Sequence, residues 1–505
     1  MIAGYARFLK PVLIGVALTV TLAGCGSSSS DKTSNNTKPD DPDPTFPANA
    51  IMLPAANLTQ AAKEAFINAE SGAVIVFPKG RFEIADTLTF DGDSGGTGTP
   101  ISNITVLGYG KDKTILDFSK SSGGDGIFVQ NGKDIEFRDL GIYEANNNAI
   151  KLINTDGIIL DSVATVWEGE LNKSNGAYGL YPVQCQNILI QNTYVRGSAD
   201  AGIYVGQSQN IVVRRNIAVE NVAGIEIENS INADVYDNVA RGNTGGILVF
   251  DLPIGEGYYG SNVRVFDNIV ENNNTNNFAN TSDFAAGVHI VPPGTGVILL
   301  ASSDVEVYNN IISGHDTLSV AITSYLMAEE SLATPDGYAE FQTILEDGWK
   351  PVLRNVNIHD NIISNSGKNP RGQLIDDIIA GYSMYHGIMP AILYDGIGEL
   401  LANAAVLPPV TGLPFTDGDY ICAADNSGAS YGQVFGTDPT DPANGLGNTP
   451  PEPEPTLKFE ATQSALLACS TAPARLAASK ATINGIAYGC GSSEAGDPSL
   501  ASCSL

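Results

Sequence analysis

Apolar and polar residues alternate in many short stretches of this chain, and the stretches recur at a fixed interval. "GIYVG" begins at Gly202 and "GIEIE" begins at Gly224, so the repeat is 22 residues long (224 − 202). Alternation with a period of two predicts strands rather than helices. Several short strands in each unit, with Asn and Gly between them, predict that each repeat is one coil of a parallel β-helix.

A second string marks the same place in successive coils. "NVRVFDNI" begins at Asn262, and similar strings begin at Asn210, Asn232, Asp304 and Asn355. Asn tolerates the left-handed backbone conformation of tight corners, and stacked Asn amides form hydrogen-bonded ladders. We therefore predict one ladder that contains the equivalent residues Asn216, Asn238, Asn268 and Asn310.

The same alignment predicts a stripe of rings on an outward wall. Its members are Tyr236, Phe266, Tyr308 and His359, beside Asp234, Arg264 and Glu306. The alternating charges suit a cross-strand ion ladder. A stacked aromatic stripe suits a sugar platform, but the segment 366–505 is available to cover it, and we expect it to be covered.

The distance between copies of the second string grows along the chain, which indicates insertions. They fall at 251–261, 270–286, 291–303 and 323–353, and they are rich in Gly, Asn, Pro and Tyr. We expect these insertions to form a wall of loops at one side of the solenoid, where repeat proteins usually carry function.

The order of these patterns divides the chain into six segments. We predict a lipoprotein signal peptide at 1–24, a disordered tether at 25–47, an N-terminal cap at 48–95, a parallel β-helix at 96–365, final coils with a helical insertion at 366–420, and a Cys-containing C-terminal segment at 421–505.

The N-terminus resembles a bacterial lipoprotein signal. Arg7 and Lys10 precede an apolar run that ends in Leu22-Ala23-Gly24-Cys25, which predicts lipidation at Cys25. An ordinary signal peptide and a membrane span are the alternatives, and the apolar run is too short to span a membrane. We expect a lipid-anchored protein of the cell envelope, and the absence of Asp after Cys25 favours the outer membrane.

Charge and cysteines restrict the partners. The 56 Asp and Glu residues against 26 Lys and Arg residues argue against nucleic acid, and a polyanionic substrate would need bridging cations such as Ca²⁺. Cys422, Cys469, Cys490 and Cys503 cluster late in the chain and allow three pairings. Proximity favours Cys422 with Cys469 and Cys490 with Cys503. No CxxC, CxxCH or paired-His spacing occurs, so zinc and covalent haem have no support.

The start of the mature domain carries a family resemblance. "NLTQAAKEAFINAESGAVIVFPKGRFEIADTLTF", from Asn57 to Phe90, places apolar residues on one face of a helix and continues into a strand. With "ISNITVLGYGKDKTILDFS" after it, the segment resembles the start of right-handed, pectate-lyase-like β-helix proteins, in which a helix plugs the open end. With Cys25 and the Asn-Ile repeats, residues 50–365 resemble a group of bacterial exported or lipid-anchored β-helix proteins.

The resemblance implies a fold and a partner but no single activity. It implies an all-β, right-handed parallel β-helix solenoid with an N-terminal capping helix, helical insertions and a disulfide-containing C-terminal segment. It also implies an exported dihaem c-type cytochrome as a partner. The same solenoid serves lyases, hydrolases, epimerases and adhesins.

Stacking the strands predicts an outward column of chemically capable side chains. The column is Phe128, Lys151, Tyr181, Tyr204, Glu226, Leu248 and His289, with Glu228 two residues beyond Glu226. A polysaccharide lyase or epimerase needs a cation for the uronate, a base for the C5 proton, and Tyr or His to return a proton. We predict Lys151, Tyr204, Glu226 and His289 as catalytic residues and Tyr181 and Glu228 as substrate-binding residues. Solubility alone also explains such residues on an exposed face.

Aromatic residues on insertions are further candidates for sugar stacking. They are Trp167, Tyr178, Tyr258 and Tyr259.

Known catalytic signatures of this fold are absent. The Asp-Pro-His-Asp motif of alginate epimerases does not occur, nor does the Asn-x-Asp and Gly-His-Gly pair of polygalacturonases; His289 lies in "GVHIVPPG" and His386 in "YHGIMP". Two interpretations therefore stay open: an envelope lipoprotein that binds and modifies a polysaccharide, and a non-catalytic envelope scaffold that docks an exported electron carrier.

Overall fold

The computed structural model describes residues 43–255, 257–280, 287–333, 335–398, 419–435, 457–462, 465–490 and 492. Within these residues the chain winds through three long sheets, which we number 1, 2 and 3 in the order in which each coil visits them. Neighbouring coils pair in parallel register. The predicted all-β solenoid is confirmed.

Sheet 1 carries the candidate site. In the described residues its strands are Leu88–Asp91, Ile127–Gln130, Ile150–Ile153, Leu180–Val183, Ala201–Gly206, Ala223–Glu228, Gly245–Phe250, Thr295–Leu300, Leu318–Thr323, Ile392–Tyr394, Tyr431–Gln433 and the antiparallel strand Lys458–Glu460.

Sheet 2 follows sheet 1 in each coil. Its described strands are Ile51–Met52, Val74–Val76, Ser102–Leu107, Lys133–Arg138, Asp156–Asp161, Gln186–Gln191, Gln209–Arg214, Ile231–Tyr236, Ser261–Phe266, Ser303–Tyr308, Arg354–His359 and Ile421–Ala423.

Sheet 3 completes each coil. Its described strands are Gly80–Glu83, Thr114–Asp117, Gly141–Tyr143, Ala164–Val166, Tyr194–Arg196, Ile217–Val219, Val239–Arg241, Ile269–Glu271, Ile311–Ser313 and Ile362–Ser364.

Helices lie at one end and in the insertions. Helix Leu58–Ile67 packs Leu58, Ala62 and Phe66 into the core and caps the first coils, as predicted. Two further helices are Pro335–Glu346 and Asp376–His386, and short 3₁₀ turns are Val288–Ile290, Tyr325–Met327, Glu330–Ala333 and Gln373–Ile375. Among the described residues, no helix is both long and apolar enough to cross a membrane.

The predicted Asn ladder is confirmed and is longer than expected. The amide of Asn238 accepts from the side chain of Asn216 at 2.9 Å and donates to Asn268 at 3.0 Å. Asn268 donates in turn to Asn310, and the ladder continues to Asn361. These amides are buried, so each coil satisfies the polar corner of the next.

We assigned two roles to the corner Asn, the left-handed turn and the ladder amide. The structure gives these roles to two neighbouring residues. Asp267 has the left-handed conformation, with φ 54°. Asn268, the next residue, is in the ladder and does not have a positive φ. The dipeptide Asp-Asn therefore combines a turn-former with a ladder amide.

A second ladder of Asn amides explains the glycine near the start of the sheet 1 strands. The Asn221 amide donates to Asn243 at 3.1 Å. A Cβ on Gly202 would lie 2.8 Å from Asn221 Nδ2, and one on Gly224 would lie 2.8 Å from Asn243 Nδ2. Glycine leaves room for the ladder.

The aromatic stripe on sheet 2 is confirmed, and so is its cover. Tyr236, Phe266, Tyr308 and His359 stack with interplanar angles of 9°, 4° and 2°. The segment 475–479 lies across this face: the Arg475 guanidinium is 4.0 Å from the Tyr308 ring centroid, the Leu476 N–H donates to Glu306, and the Ser479 hydroxyl donates to the Asn232 carbonyl. The hairpin of Ala481–Ile483 and Ile486–Tyr488 packs on earlier coils of the same sheet. The stripe is an internal contact, not a sugar platform.

The predicted ion ladder forms between Asp234 and Arg264, while Glu306 pairs with Arg475 of the covering segment. The Arg264 guanidinium donates from Nε to Asp234 at 2.7 Å. Arg264 pairs in register with Glu306 on the next coil, and both residues are buried. His359 Nε2 lies 3.0 Å from Glu306.

The predicted Cys422–Cys469 disulfide is confirmed. Cys490 is disulfide-bonded, and Cys503, its predicted partner, lies outside the described residues. Cys185 is free and buried. The predicted lipidation at Cys25, the signal peptide and most of the tether also lie outside the described residues.

Candidate functional site

A cleft of about 290 Å³ lies on the outward face of sheet 1. Its floor is formed by strands Leu180–Val183, Ala201–Gly206 and Ala223–Glu228, and its walls are formed by 252–254, by 287–289 and by Tyr325. The cleft thus lies where the insertions leave the coils, as predicted for the loops.

Most of the predicted column is correct in register. Lys151 pairs with Phe128 and Tyr181, and Tyr204 pairs with Glu226, which pairs with Leu248. Our expectation of an exposed face is wrong: Tyr204 is 4% exposed and Glu226 is 2% exposed. The loops fold over sheet 1 and remove both side chains from bulk water.

His289 is not in the column. Leu248 pairs with Ile298 of strand Thr295–Leu300, so that strand, and not "GVHIV", is the next wall; the predicted insertion at 291–303 is wrong for the same reason. His289 lies on the turn Val288–Ile290, and this turn forms a wall of the cleft. The structure therefore brings His289 to the predicted site by a loop.

The tyrosine hydroxyl of Tyr204 donates to Glu228 Oε1 at 2.9 Å. Its ring lies over Gly206, which is the register partner of Glu228. A Cβ at Gly206 would lie 2.2 Å from Tyr204 Oη. Glycine at this position therefore lets the ring lie along its own strand and reach the next coil.

Three carboxyl groups in the cleft have raised pKa values. Burial and the neighbouring carboxylates Asp200 and Glu228 raise the pKa of Glu226 well above its usual range. Burial raises the pKa of Glu228 to about 7, although the Tyr204 hydrogen bond opposes the shift. Burial raises the pKa of Asp200 to about 7, against the hydrogen bond from Tyr178. Like charges this close favour protons on some of the three groups.

Three tyrosines line the cleft beside these carboxyl groups. The ring centroids of Tyr178 and Tyr181 lie 4.3 Å apart in a stacked arrangement, and the Tyr204 ring lies 4.8 Å from Tyr178. Burial raises the pKa of Tyr181 to about 12, so the phenol stays protonated and is able to donate a hydrogen bond to a ligand. The Lys151 ammonium lies 5.2 Å from the Tyr181 ring centroid, at the edge of the cleft and outside its lining.

Side-chain amides hold the loops in place. Asn229 Nδ2 donates to the carbonyls of Leu252 and Tyr258, both at 2.8 Å, and Asn229 Oδ1 accepts from the Leu252 N–H at 2.9 Å. Asn277 Nδ2 donates to the carbonyls of Val288 and Val291 in the same way. The walls of the cleft are thus fixed from both sides.

Three aromatic residues predicted to bind sugar lie elsewhere. Trp167 is 3% exposed, and its indole N–H donates to the Ala145 carbonyl at 2.8 Å, so it belongs to the core. The Tyr259 hydroxyl donates to Asp347 at 2.9 Å, outside the cleft. Tyr258 is exposed but lines a neighbouring groove.

Tyr178, which was predicted to stack on sugar, does line the cleft, but the sequence analysis did not identify Asp200 and Tyr325. Asp200 lies just before a strand of sheet 1, at the corner from sheet 3, and the predicted column included only residues within strands. The signal was available for Asp200, since it directly precedes "AGIYVG". Tyr325 follows a strand of sheet 1 on a long insertion, and nothing in the sequence relates it to the cleft.

The chemistry of the cleft is that of acids rather than of a metal centre. Among the described residues, no three His, Cys, Asp or Glu side chains are arranged to hold a metal ion. No Lys or Arg occurs among the described residues that line the cleft. The site therefore offers protonated and ionised carboxyl groups, phenols and one imidazole.

The topology and one family comparison define the class of the protein. Residues 125–312 match the family described as right handed beta helix region. The fold of the described residues is thus a right-handed parallel β-helix, as predicted. Among curated proteins, no sequence matches the chain.

Solved structures of several enzymes are similar in part. The mannuronan C-5 epimerase AlgE4 A-module of Azotobacter vinelandii has 15% identity and a TM-score of 0.37, with 62% of this chain and 84% of that chain covered. An alginate lyase from Paenibacillus sp. str. FPU-7 has 16% identity and a TM-score of 0.33, with 54% and 89% covered. DFA-IIIase from Arthrobacter chlorophenolicus A6 has 11% identity and a TM-score of 0.40, with 69% and 92% covered. At these scores the likeness carries no argument about the site.

Proposed function

We propose that this protein binds a polysaccharide in the cleft on sheet 1 and hydrolyses its glycosidic bonds by carboxylic acid–base chemistry. The observation that supports the proposal is the cluster of Asp200, Glu226 and Glu228, all with raised pKa values, beside three phenols in one loop-covered cleft. Carboxyl groups in different protonation states are what glycoside hydrolysis requires.

Glu226 is the proposed general acid. Its raised pKa keeps it protonated at neutral pH. Its Oε2 is buried, and no hydrogen-bond partner for this atom occurs in the described part of the chain. A bound glycosidic oxygen would satisfy this group and receive its proton as the glycosidic C–O bond breaks.

Glu228 is the proposed base. The Tyr204 hydrogen bond stabilises its ionised form. Glu226 and Glu228 project from the same face of one strand, with Cα atoms about 7 Å apart. One carboxyl group can therefore contact the glycosidic oxygen while the other contacts the attacking water. Glu228 would accept a proton from the water whose oxygen bonds to the anomeric carbon.

The charge of the cleft restricts the class of polysaccharide that it can bind. The predicted lyase or epimerase chemistry requires a cation to neutralise a uronate, but Lys151 lies against Tyr181, outside the lining. An acidic sugar would meet three carboxyl groups. We therefore favour an uncharged glycan, with the partly exposed rings of Tyr178 and Tyr181 as a stacking surface.

The test is a panel of neutral and uronate polysaccharides, with new reducing ends measured for hydrolysis and ultraviolet absorbance measured for unsaturated lyase products. Reducing ends from a neutral glycan, lost in Glu226→Gln, support the proposal. Glu271→Gln on sheet 3 is the matched control. Unsaturated products, or activity on uronates alone, contradict it.

A second candidate function, a non-catalytic envelope interaction protein, is favoured by the outward face of sheet 3. Ile217, Val239, Ile269, Ile311 and Ile362 are register partners along five coils. The four isoleucines are 37% to 56% exposed, most at Ile362, and Val239 is half-buried. Contiguous exposed apolar surface marks interaction sites, and with a net charge of −30 the complementary partner is a basic protein.

Charge substitutions in this column test the second function. Ile311→Asp together with Ile362→Asp should abolish capture of a basic exported protein while leaving sugar binding intact. Unchanged capture contradicts an interaction role for sheet 3. Anchoring through Cys25 and a c-type cytochrome partner stay predictions from the sequence.

A further inference from the structure

A second polar groove of about 340 Å³ lies around the corner from the cleft, between sheet 1 and sheet 2. We call it the corner groove and define it by Gln184, Gln186, Gln207, Gln209 and Tyr258. Gln207 lines both the corner groove and the cleft. The cleft and the corner groove therefore adjoin at Gln207, and an extended ligand bound in one can continue into the other.

Two pairs of glutamine amides form the floor of the groove. Gln184 Nε2 donates to Gln207 Oε1 at 3.0 Å, and Gln209 Nε2 donates to Gln186 Oε1 at 2.8 Å. Each pair joins neighbouring coils, which lie about 4.8 Å apart. The pairs hold planar amide groups in fixed directions on the groove floor.

The backbone at two of these glutamines is unusual. Gln184 has φ 54° and Gln207 has φ 50°, in the left-handed region. Asn154 and Asn229 occupy the same corner in the flanking coils, with φ 51° and 46°. Asn adopts this conformation more readily than other non-glycine residues, so the turn alone would favour Asn. The longer side chain extends the amide by one methylene toward the groove.

The chemistry of the groove selects for an uncharged, hydroxyl-rich ligand. No Lys or Arg lines it among the described residues. The Asp156 carboxylate, at one end, accepts from Asn187 Nδ2 at 2.7 Å. Tyr258 is 39% exposed and presents a ring at the other end. Amide pairs with one aromatic ring suit the hydroxyls and the apolar face of a sugar.

We propose that the corner groove is a second saccharide-binding site, which holds uncharged sugar units of the same chain whose scissile bond lies in the cleft. The inference rests on the proposed hydrolytic function and deepens it. If both sites hold one chain, the substrate is a polymer that spans the cleft and the corner groove. Binding should therefore strengthen with chain length.

The experiment measures affinity against chain length by titration calorimetry. The probes are cello-, malto- and chito-oligosaccharides from disaccharide to hexasaccharide, and the protein is the full chain carrying Glu226→Gln so that probes are not consumed. We expect affinity for one series to rise with length. Adding Gln186→Ala and Gln209→Ala, which removes one amide pair, should lower hexasaccharide affinity about tenfold, since two hydrogen bonds are lost.

Controls separate this site from the cleft and from misfolding. Gln342→Ala, on the exposed face of helix Pro335–Glu346, should keep the length dependence. Tyr258→Ala should weaken hexasaccharide binding independently of the amides. Affinity that does not rise with length, or that survives both changes, overturns the corner groove. Length-dependent binding without hydrolysis by the unsubstituted protein overturns the proposed hydrolytic function only, and absence of any binding overturns both.

Discussion

The hydroxyl of Tyr204 donates to Glu228, which lies diagonally across on the next coil, and not to its direct register partner Glu226. Glu228 therefore has a hydrogen-bond donor that stabilises its ionised form, while Glu226 Oε2 has none among the described residues. Burial raises the pKa of both carboxyl groups; the Tyr204 hydrogen bond opposes the rise at Glu228, whereas the neighbouring Asp200 and Glu228 add to the rise at Glu226.

Gly206→Ala should remove this difference. The added Cβ would meet the Tyr204 ring, so the ring must rotate away and the hydrogen bond to Glu228 is lost. We expect the pKa of Glu228 to rise further and kcat to fall by at least tenfold, measured as a pH profile of hydrolysis. Gly124→Ala is the matched control, because Gly124 is exposed and an added Cβ there would meet nothing closer than 3.8 Å. An unchanged profile in Gly206→Ala would contradict the positioning role of Tyr204.

Activity should depend on pH in a bell shape. The rate should rise through about pH 7 as Glu228 loses its proton, because its pKa is raised to about 7, and fall at higher pH as Glu226 loses its own. Glu226→Gln cannot donate a proton and should reduce kcat by about 10²–10⁴. Initial rates across pH test this, and a profile without a limb near pH 7 would count against Glu228 as base.

Stability should fall as pH rises from about 4.5 to about 7. Glu228 has an ordinary pKa of 4.5 and a folded pKa of about 7, so the folded state binds more protons than the unfolded state in this window. The stabilisation is present below pH 4.5 and is lost as pH rises through 7. Glu228→Gln should flatten the Tm against pH curve, and an identical slope in both proteins would refute the assignment.

Asn238→Ala should destabilise the solenoid strongly. The buried amide exchanges hydrogen bonds with Asn216 and Asn268 and donates to the Val213 carbonyl. Its removal leaves several buried groups unpaired, at a cost of about 3 kcal/mol or more in the free energy of unfolding. Asn172→Ala, on an exposed loop, should cost no more than about 0.5 kcal/mol. Chemical denaturation compares the two, and equal costs would mean that the ladder is not stabilising.

Cys25→Ala tests the anchoring prediction. If Cys25 is lipidated, the variant should move from the membrane fraction to the soluble exported fraction. Fractionation with immunoblotting measures this, and Cys185→Ala, which removes a buried free thiol, serves as the control. Unchanged membrane attachment of Cys25→Ala would remove the lipoprotein interpretation.

The sequence was most informative where each coil repeats the same physical constraint. Asn216, Asn238 and Asn268 share a buried corner, so their spacing predicted the ladder directly. His289 was misplaced because "GVHIV" has the alternation of a strand, whereas the strand that pairs with Gly245–Phe250 is Thr295–Leu300, a continuous apolar run without alternation. Pattern alone does not decide between two such candidates.

Burial of the site was not predictable because loops decide it. Glu226 has the position of a solvent-facing residue in its strand, and loop residues such as Leu252, His289 and Tyr325 form the walls around it. Asp200 lies at a corner rather than in a strand, so the alternation says nothing about its direction. Such contacts join residues far apart in the sequence, and no local periodicity encodes them.

From strand Lys133–Arg138 to strand Arg354–His359, the corner between sheets 2 and 3 keeps one length. In each coil of this span two residues, such as Asp237 and Asn238 or Asp360 and Asn361, connect the two strands. Every long insertion in that span instead joins one end of sheet 1. The residues that hold the coils together are therefore different from the loop residues that would determine ligand specificity. Exchange of loops between related solenoids should create new binding preferences without disturbing the rear wall that holds the coils in register.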